Sequence, residues 1–183
     1  MSDRRDFMGK ALGAFTGLGA IAALYAAKRT WDPLPSVKAA GFTILDTKIY
    51  KEGQLVTELW RKKPIFVMKM TKDMVEKAKQ KEISTVKGHK LIDRLIKVGN
   101  DYFMVTLGLC THLGCIPGYK PEKKEFLCAC HGGLYDFTAD VTKAPPPRGL
   151  DIPPFKVDGT KIVLGEEGKE YKKMLADGIT QPV

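Results

Sequence analysis

The sequence predicts a mainly β protein: an antiparallel β domain with its reactive side chains in loops at one end, preceded by one N-terminal transmembrane helix. Three observations carry this expectation. Residues 11–27 hold no charged side chain. From residue 42 onward, short runs rich in Val, Ile, Phe and Tyr alternate with Gly, Pro and Asp, the pattern of strands and turns. All four cysteines and two of the three histidines fall in two boxes, residues 110–115 and 128–133, and a strand-like run leads into each. With 183 residues and 44 % hydrophobic content, the chain accommodates one domain of about 140 residues and a short appendage.

The appendage is residues 1–29. Ser2-Asp3-Arg4-Arg5-Asp6-Phe7-Met8 resembles a twin-arginine export signal: paired Arg, a polar residue, then Phe and an apolar residue. As a helix, residues 11–27 would span about 26 Å, at the short end for a bilayer crossing. Snorkelling of Lys10, Lys28 and Arg29 lengthens the reach. No A-x-A site follows the run, so an uncleaved signal anchor is expected rather than a removed peptide. Gly9, Gly13 and Gly17 repeat at four-residue spacing, a face that lets membrane helices approach closely. Residues 30–41, with Pro33 and Pro35 and no periodicity, read as a linker.

In the remainder, residues 42–50 and 55–60 are β-rich runs, and Trp60-Arg61-Lys62-Lys63-Pro64 leads into an apolar strand ending near Met70. Residues 72–81 place Met74, Val75 and Ala78 on one side of a helix. Residues 102–107 and 125–127 are strands entering the first and second box. Residues 152–157 and 161–164, joined through Asp158-Gly159, form a hairpin. The domain is therefore expected over 42–165, followed by a charged tail, 166–183, helical over 169–176. His89, among lysines and glycine, reads as a solvated loop residue. The net charge of +9 comes from scattered lysines without a basic helix or an RNA-binding signature, so nucleic-acid binding is not expected.

The boxes read Cys110-Thr111-His112-Leu113-Gly114-Cys115 and Cys128-Ala129-Cys130-His131-Gly132-Gly133. Each offers one Cys and one His at close spacing, with a second Cys left over. A zinc site on Cys110, His112, Cys128 and His131 is the plain alternative. However, C-x-H is tight for zinc ligand pairs, and zinc gives Cys115 and Cys130 no role. Together with the Trp60–Pro64 segment, His-Gly-Gly-Leu-Tyr-Asp at 131–136 and the Pro-rich stretch 143–150, the boxes resemble those of the Rieske iron–sulfur subunit of quinol–cytochrome c oxidoreductases (cytochrome bc-type complexes). The resemblance implies one 2Fe–2S cluster per chain, held by Cys110, His112, Cys128 and His131, with both His on one iron. It also implies that the linker 30–41 is a hinge and that Cys115 and Cys130 form a disulfide. Such a bridge closes a loop of about 15 residues, worth roughly 3 kcal/mol, and requires an oxidising compartment.

The ligand types explain the chemistry this resemblance implies. Four thiolates would leave an oxidised cluster near −2, whereas two thiolates and two neutral imidazoles leave it near zero and raise its potential, to about −150 to +300 mV against about −400 mV for plant-type ferredoxins. An imidazole bound through one nitrogen keeps the other free, and reduction makes that outer nitrogen hold its proton more tightly. The family assigns the quinol contact to the position of His131. Its high-potential members have Ser where this chain has Gly133, and a Tyr at the position of Tyr135 whose hydroxyl bonds a ligand sulfur. Lacking the Ser, this chain is expected to have a lower potential, suited to menaquinol; a backbone need for positive φ at Gly133 is the compatible structural reading. Leu113 is expected to shield the cluster, and Pro146, where the family reads G-P-A-P, to lie in a stiff cover over it. The implied partners are cytochrome b, a c-type cytochrome, quinol and membrane lipid, in a complex expected to be dimeric. The implied location is a bacterial inner membrane with the cluster domain on the periplasmic side. The Rieske subunit of a periplasmic molybdenum oxidoreductase such as arsenite oxidase is the alternative.

Overall fold

The computed structural model of the chain describes residues 2–39 and 41–183; Met1, in the expected signal anchor, and Ala40, in the expected hinge, lie outside the described residues. The chain divides between residues 39 and 40 into a helical unit and a β unit. The helical unit is built on α1, Ser2–Trp31, of 30 residues, about 45 Å long. It outruns the uncharged stretch because its ends suit the helix dipole, with Asp3 in the first turn and Lys28 and Arg29 in the last. Phe7, Leu12, Phe15, Leu18, Ile21 and Leu24 are all exposed. Its most apolar 18-residue window has a mean hydropathy of 1.5, so α1 is long and apolar enough to cross a membrane. The expected linker is partly ordered: α2, Pro35–Ala39, starts on a proline, which loses no hydrogen bond at a first helical position.

In chain order the strands are β1 Thr43–Asp46, β2 Leu55–Trp60, β3 Lys63–Lys69, β4 Ile96–Val98, β5 Asp101–Leu107, β6 Gly118–Lys120, β7 Glu125–Cys128, β8 Gly133–Asp136, β9 Val141–Lys143, β10 Phe155–Asp158 and β11 Lys161–Leu164, with helices α3 Lys72–Gln80 and α4 Lys169–Ala176. They form three sheets, ordered β1-β11-β10, β2-β3-β5-β4 and β6-β7-β8-β9. Every pairing of these strands is antiparallel. The strand expected over 42–50 stops at Asp46. There the Asp46 carboxylate accepts from the Lys48 amide at 3.1 Å and turns the chain into a single 3-10 turn.

The second sheet is the base. Ile65, Phe66, Val67 and Met68 of β3 are all buried, a continuous apolar run because both faces of this central strand are covered. The β2–β3 turn places Arg61 and Lys62 at positive φ, an uncommon choice for residues with a Cβ. Adjacent contacts hold it: the Trp60 indole donates to Gly41 O at 2.8 Å, and the Arg61 guanidinium lies 4.5 Å from the Trp60 ring centre. On α3, Thr71 caps the N-terminus by accepting from the Met74 amide, and Met74 and Ala78 face the core.

The third sheet carries the boxes. Phe66 of the base stacks on Phe126 of β7 with ring centres 5.5 Å apart, and Tyr119 of β6 lies against the same ring. The chain leaving β5 for the first box passes so close to this joint that a Cβ on Gly108 would stand 2.8 Å from the Phe66 ring. Only glycine fits there. The charged segment 166–183 differs from expectation, because it packs into the domain. Tyr171, Met174, Ile179 and Thr180 are buried, Tyr171 meets Phe155 edge-on, and Thr180 Oγ1 accepts from the Ile152 amide at 2.9 Å. Two apolar residues three apart among lysines and glutamates were enough to form a buried stripe on a short helix.

Candidate metal centre

The first box joins β5 to β6, the second turns β7 into β8 with Cys128 paired to Gly133, and the Pro-rich stretch runs between β9 and β10. The two boxes share one local fold. The Gly114 amide donates to Cys110 O at 2.8 Å, and the Gly132 amide donates to Cys128 O at 2.9 Å. Both glycines have positive φ, 80° and 73°, which lets each loop reverse in a single turn. Each reversal puts a cysteine at the root and a histidine toward the tip. Cys110 and Cys128 are free and buried, His112 is half-buried and His131 exposed. The two imidazole ring centres lie 4.7 Å apart and nearly perpendicular. Thus the four predicted ligands converge, sulfurs inward and imidazoles outward.

Cys115 and Cys130 form a disulfide across the loops, with Cα atoms 6.7 Å apart and 15 residues of separation. The sulfurs of Cys115, Cys128 and Cys130 lie within 4.8 Å of one another. Two of those sulfurs are bonded to each other and bear no charge, so this grouping reflects the bridge beside Cys128, not a three-thiolate site.

The polarity around the two free thiols is uneven. Burial pushes the Cys110 thiol up, but donation from the Tyr135 hydroxyl and from the amides of His112 and Leu113, with Cys128 adding to them, brings it below its ordinary value. Burial and the neighbouring Cys110 push Cys128 up, against the amides of Cys130 and His131. Backbone amides of each loop therefore point at its own sulfur, an arrangement that stabilises thiolate. The Tyr135 hydroxyl, raised by burial and then by Cys110, keeps its proton and donates to Cys110 Sγ at 3.1 Å.

Leu113, next to His112 in the chain, is 72 % exposed, and Ile116, next to Cys115, is 62 % exposed, so neither belongs to the core. Within the Pro-rich stretch, Pro146 is buried while Ala144, Pro145 and Pro147 are exposed. The positive φ considered for Gly133 belongs instead to Gly132; Gly133 is confined by space, because Pro146 lies directly against it. His89 stands apart from the boxes, 3.7 Å from the Asp93 carboxylate.

Three supporting groups escaped the sequence reading. Thr111 donates from its hydroxyl to Arg148 O at 2.7 Å, and its amide donates to the Tyr135 hydroxyl at 3.2 Å, tying the first box to the Pro-rich stretch. Arg148 in turn grips Asp151 through two nitrogens, each at 3.0 Å. Arg94, buried to 2 % exposure, donates to Thr138 O, Ala139 O, Leu150 O and Ile179 O. It knots the exit of β8, the end of the Pro-rich stretch and the C-terminal segment together. Burial lowers the Arg94 pKa, opposed by Asp140, Asp136 and Asp151. No sequence signal marked Arg94, whose partners lie 44 to 85 residues away.

Two buried thiols supplied with donors, beside two outward imidazoles, fit a 2Fe–2S group with both histidines on one iron. Comparisons agree. Residues 64–169 match the model of the Rieske [2Fe-2S] domain. The ubiquinol-cytochrome c reductase iron-sulfur subunit of Bradyrhizobium diazoefficiens is 35 % identical over 165 residues, covering 88 % of this chain and 94 % of that protein. The subunit of the same name from Blastochloris viridis is 34 % identical over 165 residues, covering 88 % and 92 %. A solved chain of a hyperthermophilic respiratory Complex III is 35 % identical with a TM-score of 0.58, covering 83 % of this chain and 96 % of that one.

Proposed function

This chain belongs to the Rieske [2Fe-2S] family, among the iron–sulfur subunits of ubiquinol–cytochrome c reductases, and on that premise we propose that it takes an electron and a proton from quinol and passes the electron to a c-type cytochrome. It is the electron-transfer subunit of a cytochrome bc1-type assembly, and it acts within that assembly rather than alone. Cytochrome b and a c-type cytochrome are its partners there. None of the relatives reported above is a subunit of a molybdenum oxidoreductase, and the arsenite-oxidase alternative is set aside.

The observation that carries the reading is the exposed His131 imidazole at the tip of a loop whose root sulfur, Cys128, is buried. When bound, the 2Fe–2S group supplies one-electron chemistry at a potential set by its ligands and their hydrogen bonds. Cys110 and Cys128 would hold it from inside, His112 and His131 from the solvent side. The ring nitrogen of His131 not used as a ligand would accept the quinol hydroxyl proton. The exposed Leu113 and Ile116 offer apolar surface that suits a quinone ring. Tyr135 and the loop amides hold the sulfurs' negative charge. The Cys115–Cys130 bridge keeps the two loops in register.

Quinol type, side and surroundings follow from narrower features. Gly133 brings no hydroxyl toward the sulfurs, which supports a low potential and menaquinol as donor. The disulfide supports an oxidising compartment, and with the paired Arg4-Arg5 it favours twin-arginine export to the periplasmic side of a bacterial inner membrane. The helix α1 is read as an uncleaved anchor in contact with lipid and partner helices, residues 30–41 as a hinge, and the assembly as dimeric. An EPR-monitored redox titration of membranes holding the protein tests the central reading. A Rieske-type signal titrating below the ubiquinol-oxidising proteins, reduced on adding menaquinol, is the expected result. Cluster-replete protein without that signal would refute the ligand set. The same signal at high potential would refute the menaquinol reading.

A further inference from the structure

Gly133 is buried and lies across the β7–β8 pair from Cys128. Its backbone is not in the left-handed region, so conformational freedom does not explain the glycine. Space does. A Cβ on Gly133 would stand 2.5 Å from Cδ and 2.6 Å from Cγ of Pro146, and 3.6 Å from Cδ of Pro145, where carbon atoms pack at about 3.5–4.0 Å. A flexible side chain could swing aside, but a proline ring moves only with its backbone.

That backbone is tied down on the C-terminal side of Pro146. Arg148 O accepts from Thr111 Oγ1, and the Arg148 guanidinium grips Asp151. Leu150 donates its amide to Ala139 O, and its carbonyl accepts from Arg94. Gly149 is locked too, since a Cβ there would stand 2.7 Å from the Arg94 guanidinium carbon. The exposed neighbours Pro145 and Pro147 keep the stretch stiff around the one proline that turns inward.

We propose that Pro146 is a positioning residue for the metal centre: its ring occupies the space over Gly133 and so excludes a side-chain donor from the second box. Tyr135 is then left as the hydroxyl donor to ligand sulfur. Donors to the sulfurs raise the potential of an iron–sulfur centre, so Pro146 acts as a steric determinant of low potential without touching an electron. This rests on the 2Fe–2S reading above. It also makes a claim independent of the cluster: residues 133 and 146 are coupled, and a side chain at 133 is tolerated only after the ring at 146 is removed.

The test is a mutant cycle on full-length protein in membranes: Gly133→Ser, Gly133→Ala and Pro146→Ala, singly and with each 133 change combined with Pro146→Ala. Three quantities are read: thermal unfolding, iron and acid-labile sulfide per chain, and midpoint potential by EPR. Gly133→Ser and Gly133→Ala alone should lower the unfolding temperature and lose more than half the cluster. In the Pro146→Ala background both should recover. There, the serine should raise the potential relative to Pro146→Ala and the alanine should not, which separates the hydroxyl from the added bulk. If the single 133 variants are as stable and as cluster-rich as the parent, or suffer equally in both backgrounds, the steric coupling is wrong. A full-occupancy double variant with Ser and an unshifted potential overturns the donor-exclusion half. A parent protein lacking any Rieske signal would fail the functional reading instead, while the unfolding data still decide the coupling.

Discussion

Replacing Tyr135 with Phe isolates one hydrogen bond at the metal centre. The hydroxyl donates to Cys110 Sγ at 3.1 Å and accepts from the Thr111 amide at 3.2 Å, and the ring is fully buried. Reduction makes the ligand sulfurs more negative, so a donor aimed at sulfur stabilises the reduced state more than the oxidised one and raises the potential. A hydrogen bond to a charged partner contributes about 1.5–3 kcal/mol in total. Taking about 1 kcal/mol of that as the difference between the two redox states, and about 59 mV per 1.4 kcal/mol for a one-electron couple, the Tyr135→Phe potential should fall by roughly 40 mV. The ring still fills its site, so the fold should survive with a loss of about 1 kcal/mol for the Thr111 amide left without its acceptor. The assay is an EPR-monitored titration of parent and variant membranes, with iron content measured alongside. An unchanged or higher potential at equal iron content would show that the Tyr135–Cys110 bond does not tune the centre.

Three further outcomes are expected. Arg94→Met removes the donor to four buried carbonyls and deprives Asp140, whose Oδ1 is buried without a hydrogen-bond partner among the described residues, of its nearby positive charge. The cost should be about 3 kcal/mol, or roughly 10 °C in the unfolding temperature, and an unfolding curve indistinguishable from the parent's would refute the role assigned to Arg94. Cys115→Ala opens the 15-residue loop and should remove roughly 3 kcal/mol and shorten cluster lifetime in an iron-release assay; full retention under the same challenge would leave the bridge without a role at the centre. Tyr50 is pushed from 10.0 up to about 12 by burial first, then by Glu58 and Asp46. The folded chain thus holds a proton that the unfolded chain releases, and stability conferred below pH 10 is lost as pH rises toward 12. Tyr50→Phe should flatten that alkaline limb in urea titrations, and parallel pH profiles for parent and variant would contradict it.

Much of this protein follows from residues close together in the chain. The two Cys/His boxes, their turn-forming Gly114 and Gly132, the apolar helix α1, the Asp158-Gly159 hairpin and the strands over 55–60 and 161–164 all arise from local spacing, because loop reversal, helix period and strand alternation are properties of a few consecutive residues. Even the outward histidine and inward cysteine of each box are local, set by one reversed turn. What stayed hidden depends on contacts between distant segments. Nothing near Arg94 in the sequence announces that its donors meet Thr138, Ala139, Leu150 and Ile179. The short strands β6, β8 and β9 have too few residues to show a period, and they exist because β7 offers them a ladder. The charged segment after residue 165 packs on the domain because Tyr171 meets Phe155, a partner 16 residues away on β10. Gly133 is the sharpest instance. The sequence alone permits a turn glycine or a missing hydroxyl, and only the fold, by laying the Pro146 ring on it, makes the position one where no side chain can stand.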